Sequence, residues 1–366
     1  MPCSHVFRRM TGQTRPSTGS PWHDIRAGQR APAAGSRGAA HHLSGAPAPP
    51  PSSLPRWKIS ITPPDLSPWL AGNCGIPGVM HYEGRRPGPH VVCVSLIHGN
   101  EFAGAIVLDR LLRRRIRPRA GRLSLVFANP EAMHLFDPCN PVRARCVDED
   151  MNRVWLPAML DSHQTSHELD RARMLLPVIV TADRLLDLHS MLWPGEPLVL
   201  SGLPPAGRAM ARRIRGVDVC VADRGHRSGC RLIDHPRFSE GNAAACLLEA
   251  GQHWREDTVT RAMHAVLSLI GPCCGISAGT EGALPRYDMV VTDVVTARTG
   301  LFRFVTPFHS GHVVDSAGTV VAYDGGDEIR TPYDRCMLVM PNLRPARGHT
   351  AVRFARTDAG PPAPDQ

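Results

Sequence analysis

The residues with the clearest chemical potential are a histidine and a glutamate three positions apart, His98 and Glu101. They follow an apolar run, Val91–Ile97, and open a helix-like segment, Glu101–Arg115. At such a strand-to-helix turn the two side chains can occupy two positions of a tetrahedral zinc. A catalytic zinc usually has three protein ligands and one open position, and His189, which ends a second apolar run, is the third candidate. The His-x-x-Glu spacing alone is weak, because helix caps and surface pairs also produce it.

The elements that must position these side chains alternate between strands and helices from about residue 69 to 275. Six apolar runs predict strands: Val91–Ile97, Leu123–Asn129, Arg184–His189, Leu198–Ser201, Val217–Ala222 and Ala244–Ala250. Four segments predict helices: Glu101–Arg115, His167–Leu176, Ala206–Arg215 and Asp257–Ile270. Continuous apolar strands are typical of a sheet buried on both faces, so we expect an α/β fold with a mixed, mostly parallel sheet flanked by helices.

After about residue 280 the pattern changes to short strand-like segments between Gly, Asp and Pro turns, which predicts a small, mainly β domain. These segments are Leu301–Thr306, Val313–Asp315, Thr319–Tyr323 and Cys336–Pro341. Residues 1–55 are rich in Pro, Gly, Ser, Ala and Arg, and we expect them to be a disordered tail. The predicted division is therefore a tail at 1–55, a catalytic domain at 56–279 and a C-terminal domain at 280–366.

The formal net charge of +9 lies mostly in the tail, because residues 1–58 account for seven of the nine excess positive charges. The remainder is nearly neutral and has no basic stripe with interleaved aromatic residues, so we expect no nucleic-acid partner. No run of 18 apolar residues occurs, so we expect no membrane span. We also see no secretory signal. The eleven cysteines have irregular spacings and are interpreted as free thiols in a reducing, cytoplasmic compartment.

Four motifs occur in the order seen in the succinylglutamate desuccinylase/aspartoacylase family, and the chain resembles that family from about Trp69 onward. They are His98-Gly99-Asn100-Glu101, Asp150-Met151-Asn152-Arg153, Asp187-Leu188-His189 and Leu248-Glu249-Ala250-Gly251. The family is similar to the zinc carboxypeptidases in its metal site. The resemblance implies the same fold and one zinc per chain, held by His98, Glu101 and His189. It also implies that Asp150 orients the first metal histidine.

The resemblance further implies roles for the chemistry. Glu249, at the end of an apolar strand, matches the family's catalytic glutamate, which takes a proton from water and passes it to the leaving amine. From the residues alone, a structural ion pair for Glu249 is as plausible as catalysis. Arg145, seven residues before Asn152, matches the arginine that steadies the oxyanion, with Arg143 as a local rival.

Asn152 and Arg153 match the residues that hold a substrate carboxylate, and the planar fork of an arginine suits that task. A further substrate arginine in some family members corresponds to Ser239 here, with Arg237 nearby, which puts specificity for an acidic aspartyl group in doubt. A tyrosine of the C-terminal domain often completes such sites, and three remain open here: Tyr287, Tyr323 and Tyr333.

The sequence thus predicts a zinc-dependent hydrolase that cleaves the amide bond of a small N-acyl amino acid or related carboxylate. One alternative is a zinc metallocarboxypeptidase that acts on a peptide-type terminus. Another is a non-catalytic zinc-binding protein. A homo-oligomer is left open.

Overall fold

The computed structural model describes residues 55–226, 228–276 and 282–358. The predicted disordered tail lies, up to residue 54, outside the described residues. Within the described part, the chain folds into one compact unit that contains two β-sheets and seven α-helices.

Eleven strands form one large mixed sheet in the order β1-β3-β2-β4-β7-β5-β6-β8-β14-β13-β10. The bounds of these strands are β1 Val79–Glu83, β2 Arg86–Ser95, β3 Ala120–Phe127, β4 Arg184–Met191, β5 Leu198–Ser201, β6 Val219–Ala222, β7 Ala244–Gln252, β8 Tyr287–Thr296, β10 His312–Val314, β13 Cys336–Val339 and β14 Thr350–Thr357. A separate antiparallel sheet has the order β12-β11-β9 and consists of β9 Phe302–Phe304, β11 Val320–Asp324 and β12 Asp327–Arg330.

The helices lie between strands β2 and β8. They are α1 Ala103–Arg113, α2 Pro130–His134, α3 Pro157–Leu160, α4 His167–Ile179, α5 Pro205–Ala211, α6 Pro236–Ser239 and α7 Glu256–Cys274. Two short 3-10 turns, Arg143–Arg145 and Met151–Arg153, lie between α2 and α3.

The core of the large sheet consists of parallel neighbours, since β2 pairs in parallel with β3 and β4, and β4 pairs in parallel with β7. Alternate residues of β2 enter two different hydrophobic clusters. Val91 and Cys93 lie in a cluster with residues of α1 and α7, whereas Val92 and Val94 lie in a cluster with residues of α4. Burial on both faces explains why the central strands are continuously apolar in sequence. The carboxyl ends of β2, β4 and β7 consequently meet at one edge of the sheet.

The predicted mixed α/β fold with a mixed sheet and a C-terminal β region is confirmed. The expectation that the sheet is mostly parallel is wrong for the sheet as a whole, because β1 and the C-terminal strands beyond β8 join it antiparallel and β5 pairs antiparallel with β7. Each of the six predicted apolar runs overlaps a strand, and each of the four predicted helices overlaps a helix. Strands β1, β8, β12 and β14 were not predicted individually. In β8 and β12, partly or fully exposed residues predominate, so the sequence carries no apolar period that would mark them.

The C-terminal strands extend the large sheet. β6 pairs in parallel with β8, and β14, β13 and β10 follow antiparallel beyond it. Strands from both sides of residue 280 therefore share one sheet, and the domain boundary proposed there stays a prediction. The described cysteines are all free thiols. Within the described ranges, no helix is sufficiently long and apolar to cross a membrane.

Helix α1 packs directly on the strands that carry the candidate site, and Gly104 makes this close contact. A Cβ at residue 104 would lie 2.7 Å from Leu188 Cβ and 3.2 Å from Ser95 Cβ. Alanine normally stabilises a helix interior by about 0.5–1 kcal/mol relative to glycine. Gly104→Ala should nevertheless lower the free energy of unfolding in urea titrations by about 1–3 kcal/mol, because the methyl group overpacks this contact.

Gly300 provides the control, because a Cβ there meets no heavy atom within 4 Å. Gly300→Ala should leave the free energy of unfolding nearly unchanged. Equal or greater stability of Gly104→Ala would contradict the close packing of α1 on β2 and β4.

Candidate active site

The chain leaves the sheet sharply after β2, and this turn brings the first candidate ligand to the sheet edge. Leu96, directly after the strand, is buried and has a φ of 61°, a region that bulky residues rarely adopt. Gly99 approaches the α2 region closely, since a Cβ there would lie 2.3 Å from the carbonyl carbon of Ala132. The Gly99 N–H donates to the carbonyl oxygen of Arg145 at 3.1 Å, which connects the two loops.

His98, Glu101 and His189 lie together at this edge, as predicted from their positions at the ends of two apolar strands. Glu101 Oε1 lies 2.7 Å from His98 Nδ1, and Glu101 Oε2 lies 3.2 Å from His189 Nδ1. The Ser190 N–H donates to Glu101 Oε2 at 2.8 Å and holds the carboxylate in place. One ligand atom from each of the three buried residues lies within 4.8 Å of the others. The three side chains can therefore converge on one cation.

A carboxylate engages the outer nitrogen of each histidine. His98 Nε2 lies 2.9 Å from Asp150 Oδ1, and His189 Nε2 lies 2.9 Å from Asp187 Oδ2. This arrangement leaves Nδ1 as the inward atom and is typical of metal-binding histidines. The contact of Asp150 with His98 was expected, whereas that of Asp187 with His189 was not. Its spacing of two residues from His189 within a strand was the available signal, since such residues share a face.

Neighbouring charges shift the pKa values of Glu101 and His189. Burial raises the pKa of Glu101, but His98 and His189 outweigh it and bring the pKa well below its ordinary value. Burial lowers the pKa of His189, but Asp187 and Glu101 outweigh it and bring the pKa well above its ordinary value. The cluster therefore favours the ionised form of the Glu101 carboxylate and the protonated form of the His189 imidazole.

The donor set fits a divalent cation of borderline softness. Two imidazole nitrogens and one carboxylate form a ligand set that is characteristic of zinc sites with an open fourth position. Four carboxylates lie at this edge, those of Glu101, Asp150, Asp187 and Glu249, and Arg145 is the arginine paired with two of them. A bound dication would balance much of this negative charge.

The structure brings Arg145 to the cluster and leaves its rival Arg143 outside. Arg145 donates from Nη1 to Glu101 Oε1 at 3.3 Å and from Nη2 to Asp150 Oδ2 at 2.9 Å. Arg143 is exposed and donates to the carbonyl oxygen of Cys146. Arg145 remains partly accessible to solvent, so part of its guanidinium can meet a ligand.

Glu249 lies beside His189, because the two are register partners on the parallel strands β7 and β4. Such partners point their side chains to the same face of a sheet. Glu249 is buried, and its Oε2 has no hydrogen-bond partner among the described residues. Burial, followed by the charge of Glu101, raises the pKa of Glu249 well above its ordinary value. A buried carboxylate oxygen without a hydrogen-bond partner costs free energy of folding. Such an oxygen is available to accept a proton when a substrate binds.

Asn152 and Arg153 occupy the 3-10 turn next to Asp150. The Asn152 side-chain oxygen accepts from the Leu232 N–H at 2.9 Å, so one of its polar atoms is already engaged. Arg153 donates to the Asn152 carbonyl oxygen at 2.7 Å, and its Nη2 lies 3.7 Å from Asp150 Oδ2. The Arg153 guanidinium therefore approaches Asp150, which in turn contacts His98.

Three other side chains that the sequence raised are engaged elsewhere. Arg237 bonds to the Ala182 carbonyl oxygen and to Asp183, which precede β4 and lie at the opposite end of the strand from His189. The Tyr333 hydroxyl lies 2.6 Å from Thr292 Oγ1, and the Arg303 guanidinium lies over the Tyr323 ring. The identity of a tyrosine that completes the site stays open.

The sequence was compared with protein families and with curated proteins. Residues 87–192 match the model of the succinylglutamate desuccinylase/aspartoacylase catalytic domain. A probable aspartoacylase from Parasynechococcus marenigrum is 37% identical over 134 residues, which cover 34% of this chain and 42% of that relative. The chain thus spans less than half the length of that relative. A succinylglutamate desuccinylase from Burkholderia orbicola is 25% identical over 268 residues, which cover 67% of this chain and 75% of that relative.

Solved structures show the same fold at low sequence identity. The succinylglutamate desuccinylase from Vibrio cholerae superposes with a TM-score of 0.60 at 18% identity, covering 77% of this chain and 86% of that one. A succinylglutamate desuccinylase/aspartoacylase from Rhodobacter sphaeroides gives a TM-score of 0.57 at 20% identity, with 78% and 90% covered.

The family match contains His98, Glu101 and His189 together with Asp150 and the Asn152-Arg153 turn, whereas Glu249 lies beyond it. The matched catalytic-domain model and the names of the curated relatives point to the same family as the four sequence motifs. Over residues 87–192 the chain is similar to the succinylglutamate desuccinylase/aspartoacylase family, and its fold is that of the solved structures compared above.

Proposed function

We propose that this protein is a zinc-dependent deacylase that hydrolyses the amide bond of a small N-acyl amino acid or a related carboxylate. The observation that carries the proposal is the juxtaposition of the His98–Glu101–His189 cluster with the unpartnered carboxylate oxygen of Glu249. The names of the relatives support an acyl-amino acid substrate.

His98, Glu101 and His189 would hold the zinc, with Asp150 and Asp187 orienting the two imidazole rings. When bound, zinc supplies Lewis-acid polarisation of a carbonyl group and lowers the pKa of water. The arrangement of the protein groups supports a division of the remaining work among Glu249, Arg145 and the Asn152-Arg153 turn.

Glu249 would act as the general base and then as the general acid. Its carboxylate takes a proton from the attacking water, whose oxygen adds to the acyl carbonyl carbon. The same proton then moves to the amide nitrogen as the C–N bond breaks, which releases a carboxylic acid and an amine. Burial of Glu249 favours the protonated state needed for the second step.

Arg145 would donate to the carbonyl oxygen as negative charge develops there. Its contacts with Glu101 and Asp150 hold the guanidinium beside the cluster before any substrate arrives. A donor that needs no reorganisation contributes most to such a transition state. Asn152 positions Arg153 through its main chain, and Arg153 would bind the substrate carboxylate.

A substrate panel tests this function against the two alternatives. Amine release from N-acetyl and N-succinyl amino acids by the zinc-loaded protein is the expected result. Release of C-terminal residues from N-blocked dipeptides, without turnover of the small amides, would favour a metallocarboxypeptidase. Zinc binding without turnover of either class would favour a non-catalytic protein.

The newly identified partner of His189 gives a test of the metal site. Asp187→Asn removes the negative charge that orients His189, and we expect zinc affinity to fall about 10- to 100-fold, as for other such partners. His189→Ala removes a ligand and should abolish stoichiometric zinc. Competition with a chromophoric chelator measures both losses. Exposed Asp161 provides the control, and Asp161→Asn should bind zinc like the wild type. Wild-type affinity in both site variants would contradict this ligand set.

The role of Glu249 is tested by a variant that keeps its size. Glu249→Gln cannot accept a proton, so kcat should fall about 10²- to 10⁴-fold while zinc content and substrate affinity are retained. Exposed Glu240 is the matched control, and Glu240→Gln should retain kcat. If Glu249 had a structural role instead, the substitution would lower the melting temperature and leave the turnover of the folded fraction intact. Zinc content, melting temperature and kcat should be measured on one preparation.

A further inference from the structure

A buried arginine of the C-terminal strands reaches the neighbourhood of the candidate active site. Arg353 lies on β14, with 5% of its surface exposed. Ala355, two residues later on the same strand face, packs in the core cluster that includes residues of β4, β5 and β7. The strand therefore directs Arg353 towards the part of the sheet that carries Glu249.

Arg353 and Arg153 converge on a single acceptor atom. Arg353 Nη2 lies 2.9 Å from His226 Nε2, and Arg153 Nη2 lies 3.1 Å from the same nitrogen. Guanidinium groups only donate hydrogen bonds, so Nε2 of His226 must be the acceptor and the ring must be neutral. Burial, followed by the charges of Arg353 and Arg153, lowers the pKa of His226 to about 3. The single lone pair of His226 Nε2 thus accepts hydrogen bonds from two positively charged guanidinium groups.

The carboxylates nearby are already engaged with other partners. Asp223 and Asp234 pair with Arg231, whose Nη2 and Nε bond to them. Arg353 Nε lies 3.5 Å from Asp223 Oδ2 but makes no hydrogen bond with any described residue. Asp150, at 3.7 Å from Arg153, is bonded to His98 and Arg145.

Each guanidinium therefore has only a carboxylate that it shares with another arginine, Asp223 for Arg353 and Asp150 for Arg153. Burial lowers the pKa of Arg353 and also that of Arg153. The shared carboxylates oppose this shift, whereas neighbouring arginines add to it, and both pKa values remain below the ordinary value. A pair of buried cations that shares one neutral acceptor is incompletely compensated, and an anionic ligand between them would correct this. The ligand must fit two forks that point at one atom, which favours a single carboxylate with two oxygens.

We infer that Arg153 and Arg353 together clamp one carboxylate of the substrate, and that Arg353 is a specificity-determining residue of this chain. The inference rests on the proposed deacylase function. The preferred substrates are then N-acyl amino acids with a free carboxylate next to the scissile amide. His226 occupies the acceptor position between the arginines until the carboxylate takes its place.

The test compares the N-acyl amino acid of the substrate panel that is turned over fastest with its α-carboxamide. Arg353→Met should raise KM for the acid about 10- to 100-fold, the worth of a charged hydrogen bond, with little change in kcat. The carboxamide should be affected much less. The ratio of kcat/KM between acid and carboxamide does not depend on the fraction of folded protein, so reduced stability cannot imitate this result.

Three variants separate the clamp from a structural role. Arg353→Lys keeps the charge but loses the fork, and it should lower the acid-to-carboxamide ratio to an intermediate value. Arg153→Ala should lower the ratio as Arg353→Met does, and the double variant should lose less than the product of the two single losses, since both groups read one carboxylate. Arg171→Lys is the matched control, because Arg171 is also buried but donates only to the carbonyl oxygens of Pro77, Phe127 and Ala128. It should reduce the melting temperature and leave the ratio unchanged.

Two outcomes would overturn the inference while the proposed function stands. One is an equal loss of kcat/KM for acid and carboxamide in both Arg353 variants. The other is multiplicative losses in the double variant. If the wild-type protein releases no amine from any panel member, the proposed function fails, and calorimetry with succinate and succinamide tests the clamp alone. Tighter binding of succinate by the wild type than by Arg353→Met would support the clamp, and equal binding would contradict it.

Discussion

The site depends on one buried carboxylate, that of Glu101, shared between two buried histidines. An ionised carboxylate out of water is destabilising unless its oxygens are hydrogen-bonded or paired. Here both oxygens are engaged, with His98 and Arg145 on one side and with His189 and the Ser190 N–H on the other. This sharing requires the ends of β2 and β4, α1 and the Arg145 loop to meet within a few ångströms. Small displacements of any of them would leave a buried charge without a partner.

The parallel core of the sheet meets this requirement with little additional structure. Parallel neighbours bring their carboxyl ends to one edge, where ligand sites of α/β proteins generally occur. His98, His189 and Glu249 come from three such neighbours, so the register of β2, β4 and β7 sets their spacing. The positive φ of Leu96 and the close packing at Gly99 and Gly104 are local costs of bringing α1 so near the strand ends.

Around this edge, the positive charge comes from separate regions of the chain. Arg145 and Arg153 lie on short 3-10 turns after β3, Arg231 precedes a further turn, and Arg353 lies on β14. Arg145 and Arg231 each bond to two carboxylates, whereas Arg153 and Arg353 share His226. Arg231 is thus fully compensated, Arg145 keeps a solvent-accessible part of its guanidinium, and Arg153 and Arg353 are the least compensated of the four. The large sheet, by continuing through β8 into the C-terminal strands, brings Arg353 to the same acceptor as Arg153.

The sequence by itself determined the metal-ligand candidates and the class of fold, and its resemblance to a known family singled out Glu249 as the candidate general base. Local patterns suffice for the ligands and the fold class, because apolar runs mark buried strands and the spacing of His98 and Glu101 is short enough to be set by one turn. The choice of Arg145 over Arg143, the pairing of Asp187 with His189 and the approach of Arg353 were decided only by the tertiary structure. Arginines are so numerous in this chain that composition distinguishes none of them. Arg153 and Arg353, which share His226 as an acceptor, are 200 residues apart in sequence, and strand pairing of β6 with β8 and of β8 with β14 brings them together. Such pairings depend on which surfaces remain after the core has packed, and no local pattern encodes that outcome.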